Sequence, residues 1–356
     1  MRKLCFYARR MSFDGDWLSK RGCGGSESAL INLSKNVKQL HPDYEVIVYN
    51  GTRKETQIFD GVIYKSINSF YSEKNSFNAD AFISLREIYP FTLKYLDAKK
   101  KVLWSQDNML EHDIQLLAKA PEAIKKNIDM ILAISEYAKN DLQPNFNIPI
   151  KLQRNGYNQE LNSPFLDPRE REPIAVYTST PFRGLDVLSD CWPQILEGCR
   201  KRNINPTLKV YGGMDLYNQS DIPFMGLYNK ISNLPNAQIM RSIPQVQLYE
   251  ELKKSKVMLY PNHYIETGAM AVLEALACGV WVVTTDLGAL GEQVIDGMNG
   301  NLISGDAHSF EYKGKFIHLA IDALCDKTRV PYTRTPVVFS WKEQAEKLLE
   351  NIFGDR

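Results

Sequence analysis

Short runs of apolar, β-branched and aromatic residues alternate along the chain with longer segments whose apolar positions return every three or four residues. That alternation predicts parallel strands joined by crossover helices. Two series are predicted. The first places strands at 3–8, 45–50, 62–65, 81–85, 102–105, 130–134 and 150–153, with helices starting at about 26, 113 and 136. The second places strands at 174–177, 208–211, 257–260 and 281–285, with helices starting at about 185, 245, 269 and 290. Between them, residues 158–173 hold Pro164, Pro168, Pro173 and a charged run, which predicts a linker. Residues 341–353 repeat apolar positions at helical spacing and predict a final helix. The expected organisation is α/β: two Rossmann-like, doubly wound parallel-sheet domains over 1–165 and 166–340, facing across a cleft. The tail helix, about 341–356, is expected to pack back on the first domain. In such sheets ligands bind at the carboxyl ends of the strands, so glycine-rich turns after strands become the places to search.

Composition narrows the classes of function. The chain has 356 residues, enough for two cores, and its 44% hydrophobic and 24% charged residues are those of a folded globular protein. With 43 basic against 42 acidic residues there is no global field to concentrate it on nucleic acid. Residues 1–165 are mildly basic, with Lys99, Lys100 and Lys101 the densest run, so peripheral contact with an anionic membrane stays open as an alternative. No apolar stretch is long enough to span a bilayer or serve as a signal sequence, which predicts a cytosolic protein. The six cysteines are scattered without a Cys-x-x-Cys pair, so reduced thiols are expected, with neither a disulfide framework nor a structural zinc site.

Two turns carry candidate chemistry. Gly22-Cys23-Gly24-Gly25-Ser26-Glu27 opens a helix, where glycines let backbone amides approach an anion; the alternative is a flexible loop with Ser26 as helix cap. The stronger segment runs from Pro261 to Gly279. A buried strand ends there, Gly268, Ala269 and Ala271 keep the helix start small, and Gly279 is a good C-terminal cap. Glu266 on the loop and Glu274 in the second helical turn are placed to point into one pocket, where carboxylates would accept hydrogen bonds from vicinal hydroxyls beside a phosphate site. On the bare spacing alone, two solvated helix charges are the better reading.

The segment resembles the retaining glycosyltransferases of family 4, which have the GT-B fold. The resemblance rests on the Glu, seven residues, Glu signature at Glu266 and Glu274, and on the following Ala275-Leu276-Ala277-Cys278-Gly279-Val280-Trp281-Val282-Val283. Further matches run in order along the chain: Gly24 to Glu27, Ala133 to Glu136, Arg154-Asn155-Gly156, Pro181 to Leu185, Tyr211-Gly212-Gly213 and Asp296 to Gly300. The resemblance implies that Glu266 lies beside the donor sugar and diphosphate, and that Glu274 binds the nucleotide ribose. It implies that Thr267, Gly268, Ala269, Met270 and Ala271 offer backbone amides to sugar and phosphates, and that Arg183 contacts the diphosphate. Gly213, Arg241, Ser242 and Ile243 would form base-binding turns, and Gly24 and Gly25 would close on the diphosphate.

Two departures from the family pattern qualify this. Thr178 stands where many members carry a second basic residue, so the phosphate clamp is weaker or completed by Arg9, Arg10 or Arg241. Gln106 stands where many carry the His of a His-Asp pair, leaving Asp107 a candidate for acceptor binding or proton removal and equally a turn-capping residue. His263 and His112 have no partners at metal-ligand spacing along the chain, and the family generally uses no divalent ion, so no metal is expected. The expected function is transfer of a sugar, with retention of anomeric configuration, from a nucleotide-diphosphate sugar to a carbohydrate or glycoconjugate acceptor, with no cofactor beyond that co-substrate. A catalytically silent nucleotide-sugar binder or partner subunit, and another GT-B chemistry such as epimerisation, are the rivals.

Overall fold

The computed structural model of the chain describes residues 2–52, 54–162, 167, 170–217, 219–326 and 338–354. The chain divides into two compact units. The first comprises Met1–Trp17, Ser26–Gly156 and Phe339–Arg356; the second comprises Leu18–Gly25 and Tyr157–Val338. The division thus falls at Gly156, nine residues before the position expected from the sequence, and the glycine turn before residue 26 clusters with the second unit. Within the expected linker, residues 163–166, 168 and 169 lie outside the described residues, as do 355 and 356 of the tail.

The first unit holds an eight-stranded sheet. Its strands are β1 (Lys3–Ala8), β2 (Glu45–Asn50), β3 (Gln57–Phe59), β4 (Val62–Ser66), β5 (Ala79–Leu85), β6 (Ala98–Ser105), β7 (Met130–Ala133) and β8 (Ile150–Leu152). They lie in the order β3-β4-β2-β1-β5-β6-β7-β8, parallel except for the β3–β4 pair. Helices α2 (Gly25–Leu40), α3 (Ile67–Ser72), α4 (His112–Lys119), α5 (Glu122–Lys125) and α6 (Glu136–Leu142) connect the strands; the single turn of α1 (Trp17–Lys20) falls where the chain passes into the second unit. Central strands such as Leu4–Ala8 and Val46–Asn50 are buried on both faces, as a parallel sheet covered by helices requires. One core is aromatic: Phe70 is ringed by Tyr7, Tyr49, Phe77 and Phe82, with ring centroids 5.0 to 5.7 Å away.

The second unit holds a six-stranded, wholly parallel sheet of β9 (Ile174–Tyr177), β10 (Thr207–Val210), β11 (Ala237–Ile239), β12 (Val257–Tyr260), β13 (Trp281–Thr285) and β14 (Gly300–Ile303), in the order β11-β10-β9-β12-β13-β14. Its helices are α7 (Leu185–Lys201), α8 (Met225–Ser232), α9 (Gln245–Lys254), α10 (Met270–Ala277), α11 (Leu290–Gln293) and α12 (Phe310–Cys325). The tail forms α13 (Trp341–Phe353), stopped by Gly354 in the left-handed conformation and started by a capping box between Ser340 and Glu343.

Helix α13 belongs to the first unit because its polar groups complete those of β8. Asn351 donates to the Leu152 carbonyl at 2.8 Å, Lys151 to the Asn351 carbonyl at 2.7 Å, and Gln153 to the Gln344 carbonyl at 2.8 Å. No helix among the described residues is long and apolar enough to cross a membrane.

Among the parallel strands each order reverses direction once, between β1 and β5 in the first sheet and between β9 and β12 in the second. These reversals are where adjacent crossover connections part and leave a crevice at the strand ends. In the first unit the loops there carry Arg9, Arg10, Arg86 and Glu87. In the second they are the turn from Thr178 to Gly184 and the loop from Pro261 to Ala269.

Candidate functional site

The site in the second unit begins with two backbone constraints at its switch point. Gly184, the residue that starts α7, has φ +100°, and a Cβ there would sit 2.1 Å from the Pro261 carbonyl oxygen, so only glycine lets these two loops pass so closely. Gly288, at φ +63°, likewise lies against the backbone of Glu266, and the Ala289 amide donates to the Glu266 carbonyl at 2.7 Å. Both contacts fix the main chain on either side of the Glu266 carboxylate.

That carboxylate is 4% exposed. It accepts from Arg183 Nη1 at 2.9 Å and from the Tyr260 hydroxyl at 2.5 Å, both on Oε1. Arg183 also lies over the Tyr264 ring, 4.8 Å from its centroid. Burial alone would depress the guanidinium, but the neighbouring Glu266 charge outweighs it and raises its pKa, so Arg183 stays cationic. Its Nε and the Thr178 Oγ1 are both buried with no hydrogen-bond partner among the described residues. Unsatisfied buried donors of this kind are costly, and an acceptor arriving beside them would satisfy them.

Helix α10 starts beside this pair, two residues after Gly268. Its cap residue, Ala269, has no side-chain oxygen to offer, and the helix starts without a side-chain cap. The first-turn amides of Met270 and Ala271 therefore present the positive end of the helix to whatever lies before it. Gly25 approaches the same turn: a Cβ there would stand 3.3 Å from Met270 Cγ.

Glu274, one turn further, differs from Glu266. It is 7% exposed and bonds Gln245 Nε2, which donates to Oε1 at 2.6 Å from the first residue of α9. Burial pushes its carboxyl up to about 7, and the Gln245 amide pulls only partly the other way. Among the described residues, burial and the Gln245 amide are what act on it.

The remaining predicted residues gather at the ends of β10 and β11. Gly212, at φ +126°, has no room for a Cβ beside the Ser179 carbonyl and donates its amide to the Arg241 carbonyl at 3.1 Å. Arg241 itself holds φ +58°, unusual for a residue with a side chain. Its guanidinium lies 3.5 Å from Asp221, the Ser242 hydroxyl donates to Asp215, and Ile243 packs on the core. A Cβ on Gly213 would press on the Asp215 carboxylate, and one on Gly22, two residues before Gly24, would press on Ser242. Thus the second unit joins Arg183 to Glu266 shortly before the α10 start, holds Glu274 inside α10, and places Gly212, Gly213 and Arg241 in the turns after β10 and β11.

Asp107 lies in the first unit and is occupied: Arg86 Nε and Nη2 donate to its two oxygens at 2.6 and 2.8 Å. Burial raises its pKa and the guanidinium opposes that. Arg86 has φ +63°. Arg9 bonds Glu87 at 3.2 Å and Arg10 bonds Asp113 at 2.6 Å, so both arginines suggested as phosphate partners are engaged within their own unit. Sequence reasoning missed Tyr260, Gln245 and Arg86. Tyr260 had a signal, as the last residue of a buried strand feeding the signature loop; the other two are joined to their partners only by the fold.

Residues 162–317 match the family model described as glycosyl transferases group 1. The chain is 24% identical over 319 residues to an uncharacterized glycosyltransferase of Methanocaldococcus jannaschii, covering 83% of this chain and 84% of that one. Among solved structures it is similar to sucrose-phosphate synthase from Thermosynechococcus elongatus, with a TM-score of 0.72 at 15% identity over 99% of this chain and 100% of the other. It is also similar to Anabaena HepE in complex with UDP-glucose, with a TM-score of 0.64 at 14% identity over 99% and 100%. The two parallel-sheet units are the GT-B fold.

Proposed function

We propose that this chain, a glycosyltransferase with the GT-B fold, is a retaining enzyme of family 4 that moves a sugar from a nucleoside-diphosphate sugar to a hydroxyl of a carbohydrate or glycoconjugate. The observation that carries this reading is the group at the β9–β12 switch point: a cationic Arg183 with a buried, unpartnered Nε, set beside an uncapped α10 N-terminus and flanked by two buried glutamates.

In this reading Arg183 and the amides of α10 hold the diphosphate, with Thr178 supplying a neutral donor where a second cation is missing. Glu274 accepts hydrogen bonds from the ribose hydroxyls, its burial being offset only when they arrive. Glu266 keeps Arg183 in place and faces the sugar with Oε2, since Oε1 is taken by Arg183 and Tyr260. As the bond between the anomeric carbon and the phosphate oxygen breaks, the electron pair goes to the diphosphate, where Arg183 and the helix amides stabilise it. The acceptor oxygen bonds to the anomeric carbon on the same face, and its proton passes to the departing phosphate oxygen. No protein nucleophile is needed, in contrast to a retaining glycosidase. Asp107, with both oxygens on Arg86, acts here as a positioning residue.

The test is a Glu266→Ala variant assayed with the UDP-sugars first, because HepE holds UDP-glucose, and then with other nucleotide sugars. Loss of a product carrying a new glycosidic bond, with nucleotide binding retained, is the expected result. Unchanged product formation would contradict the assignment.

A further inference from the structure

Linear spacing offers no metal site, yet three side chains from separate parts of the second unit meet at its surface. Asp186 lies in the first turn of α7, His263 on the loop that leads to Glu266, and His308 in the turn before α12. Their ligand atoms all lie within 4.8 Å of one another. His263 Nε2 is 3.2 Å from Asp186 Oδ1, and His308 Nε2 is 3.7 Å from Asp186 Oδ2, so each imidazole addresses a different oxygen of the same carboxylate. The two rings lie side by side, centroids 4.9 Å apart at 41°. Asp186 is half-buried and both histidines are exposed.

We infer that Asp186, His263 and His308 form a binding site for one divalent transition ion of the zinc class. Bonds of about 2.0–2.1 Å to a tetrahedral ion put neighbouring ligand atoms roughly 3.4 Å apart. The His263–Asp186 pair already meets that spacing, the His308–Asp186 pair needs a shift of a few tenths of an ångström, and the triad as a whole, its ligand atoms within 4.8 Å of one another, closes on an ion by rotation of the exposed imidazoles. Two imidazoles with one carboxylate suit Zn²⁺, Co²⁺ or Ni²⁺; Mg²⁺ prefers oxygen ligands alone. Three protein ligands leave a coordination position for water. The competing cation is Lys313, which donates to Asp190 at 2.8 Å, one turn along α7, and interacts with Asp186 electrostatically.

The position gives the site a consequence. Asp186 follows Arg183 by three residues, and His263 precedes Glu266 by three. An ion here would fasten the two loops of the proposed donor site at their outer side, without touching the reacting atoms. This consequence rests on the donor-site reading; the metal site itself does not.

The experiment is a titration of the untagged, reduced, metal-stripped full chain with Co²⁺, followed by visible absorption, with displacement by Zn²⁺ and by excess Mg²⁺. One Co²⁺ per chain, nitrogen and oxygen ligation without a thiolate charge-transfer band, displacement by Zn²⁺ and not by Mg²⁺ are expected. His263→Ala and His308→Ala should each weaken binding about tenfold or more, and His318→Ala, an exposed histidine paired with Asp322, should leave it unchanged. No stoichiometric binding, a thiolate band, or binding that survives both variants would overturn the inference. Because the readout uses no nucleotide, its failure leaves the donor-site reading untouched, and failure of that reading leaves the metal site standing. With Zn²⁺ bound, hydrogen exchange across 261–268 should slow in the wild type and not in His263→Ala; exchange unaffected by Zn²⁺ in the wild type would overturn the fastening.

Discussion

At the strand ends of the first unit, charged side chains satisfy one another: Arg86 closes on both oxygens of Asp107, Arg10 on Asp113 and Arg9 on Glu87. At the corresponding ends of the second unit they do not. Arg183 reaches Glu266 through one Nη and leaves Nε buried without a partner, α10 starts without a cap, and Glu274 is buried against a single amide. Two sheets of the same kind thus prepare their switch points in opposite ways. A finished ion pair holds a loop in shape, whereas a buried group lacking its complement stores binding capacity that a ligand with matching donors and acceptors releases.

The sharpest way to break this contrast is Arg183→Ala. It leaves Glu266, 4% exposed, without its cation, and removing one partner of a buried pair costs about 3–5 kcal/mol. Denaturant unfolding should show that loss, and nucleoside diphosphate affinity should vanish with it. Unchanged stability would mean that the pair is not what holds the loop.

Glu274→Gln tests the other half. With the carboxyl held at about 7 in the folded chain and near 4.5 when unfolded, the folded state binds the extra proton between those values. Stability from this group is therefore complete below about pH 4.5 and lost as pH rises through 7, leaving a penalty of about 3 kcal/mol in the empty protein at pH 8. Glutamine should remove that slope and stabilise the empty protein at pH 8, while weakening nucleotide binding. Parallel pH-stability curves for the two proteins would count against a strained Glu274.

A smaller loss, about 2–3 kcal/mol, is expected of Gly184→Ala, which must give up φ +100° or displace Pro261. Thermal unfolding would register it, and a silent substitution would show that the loops are looser than their contact implies. The smallest effect belongs to the first unit. Asp107→Asn should cost about 1–2 kcal/mol by weakening one exposed-edge ion pair and leave nucleotide affinity unchanged by calorimetry. A large fall in that affinity would erase the distinction between the units.

The sequence shows the central strands plainly because burial on both faces makes them continuous apolar runs, as at 174–177, 257–260 and 281–285. It does not show β3, β11 or β14. Gln57–Phe59 and Ala237–Ile239 are three-residue, half-buried edge strands, and Gly300–Ile303 begins with glycine and asparagine. Helix α12, by contrast, carries a legible stripe through Tyr312, Phe316, Ala320 and Ala323. At the site, the pattern around Glu266 and Glu274 is readable as motif. What each carboxylate bonds is not, because Gln245 stands 29 residues from Glu274 and Arg183 stands 83 from Glu266, and only the sheet order joins them. For the same reason Asp107 reads in the sequence as an acceptor-binding acid or a turn-capping residue, and in the structure as half of an ion pair.

The most direct test of the stored capacity at Glu274 is the proton balance of nucleotide binding. Ribose hydroxyls donating to this carboxylate favour its charged form, so at pH 7, where the group is half protonated, binding should release about half a proton. Calorimetric titration with UDP, or with whichever diphosphate binds, in buffers of different ionisation enthalpy measures that number. The account predicts that about half a proton is released by the wild type in excess of any released by Glu274→Gln. Equal proton release by the two proteins, at equal affinity, would contradict it.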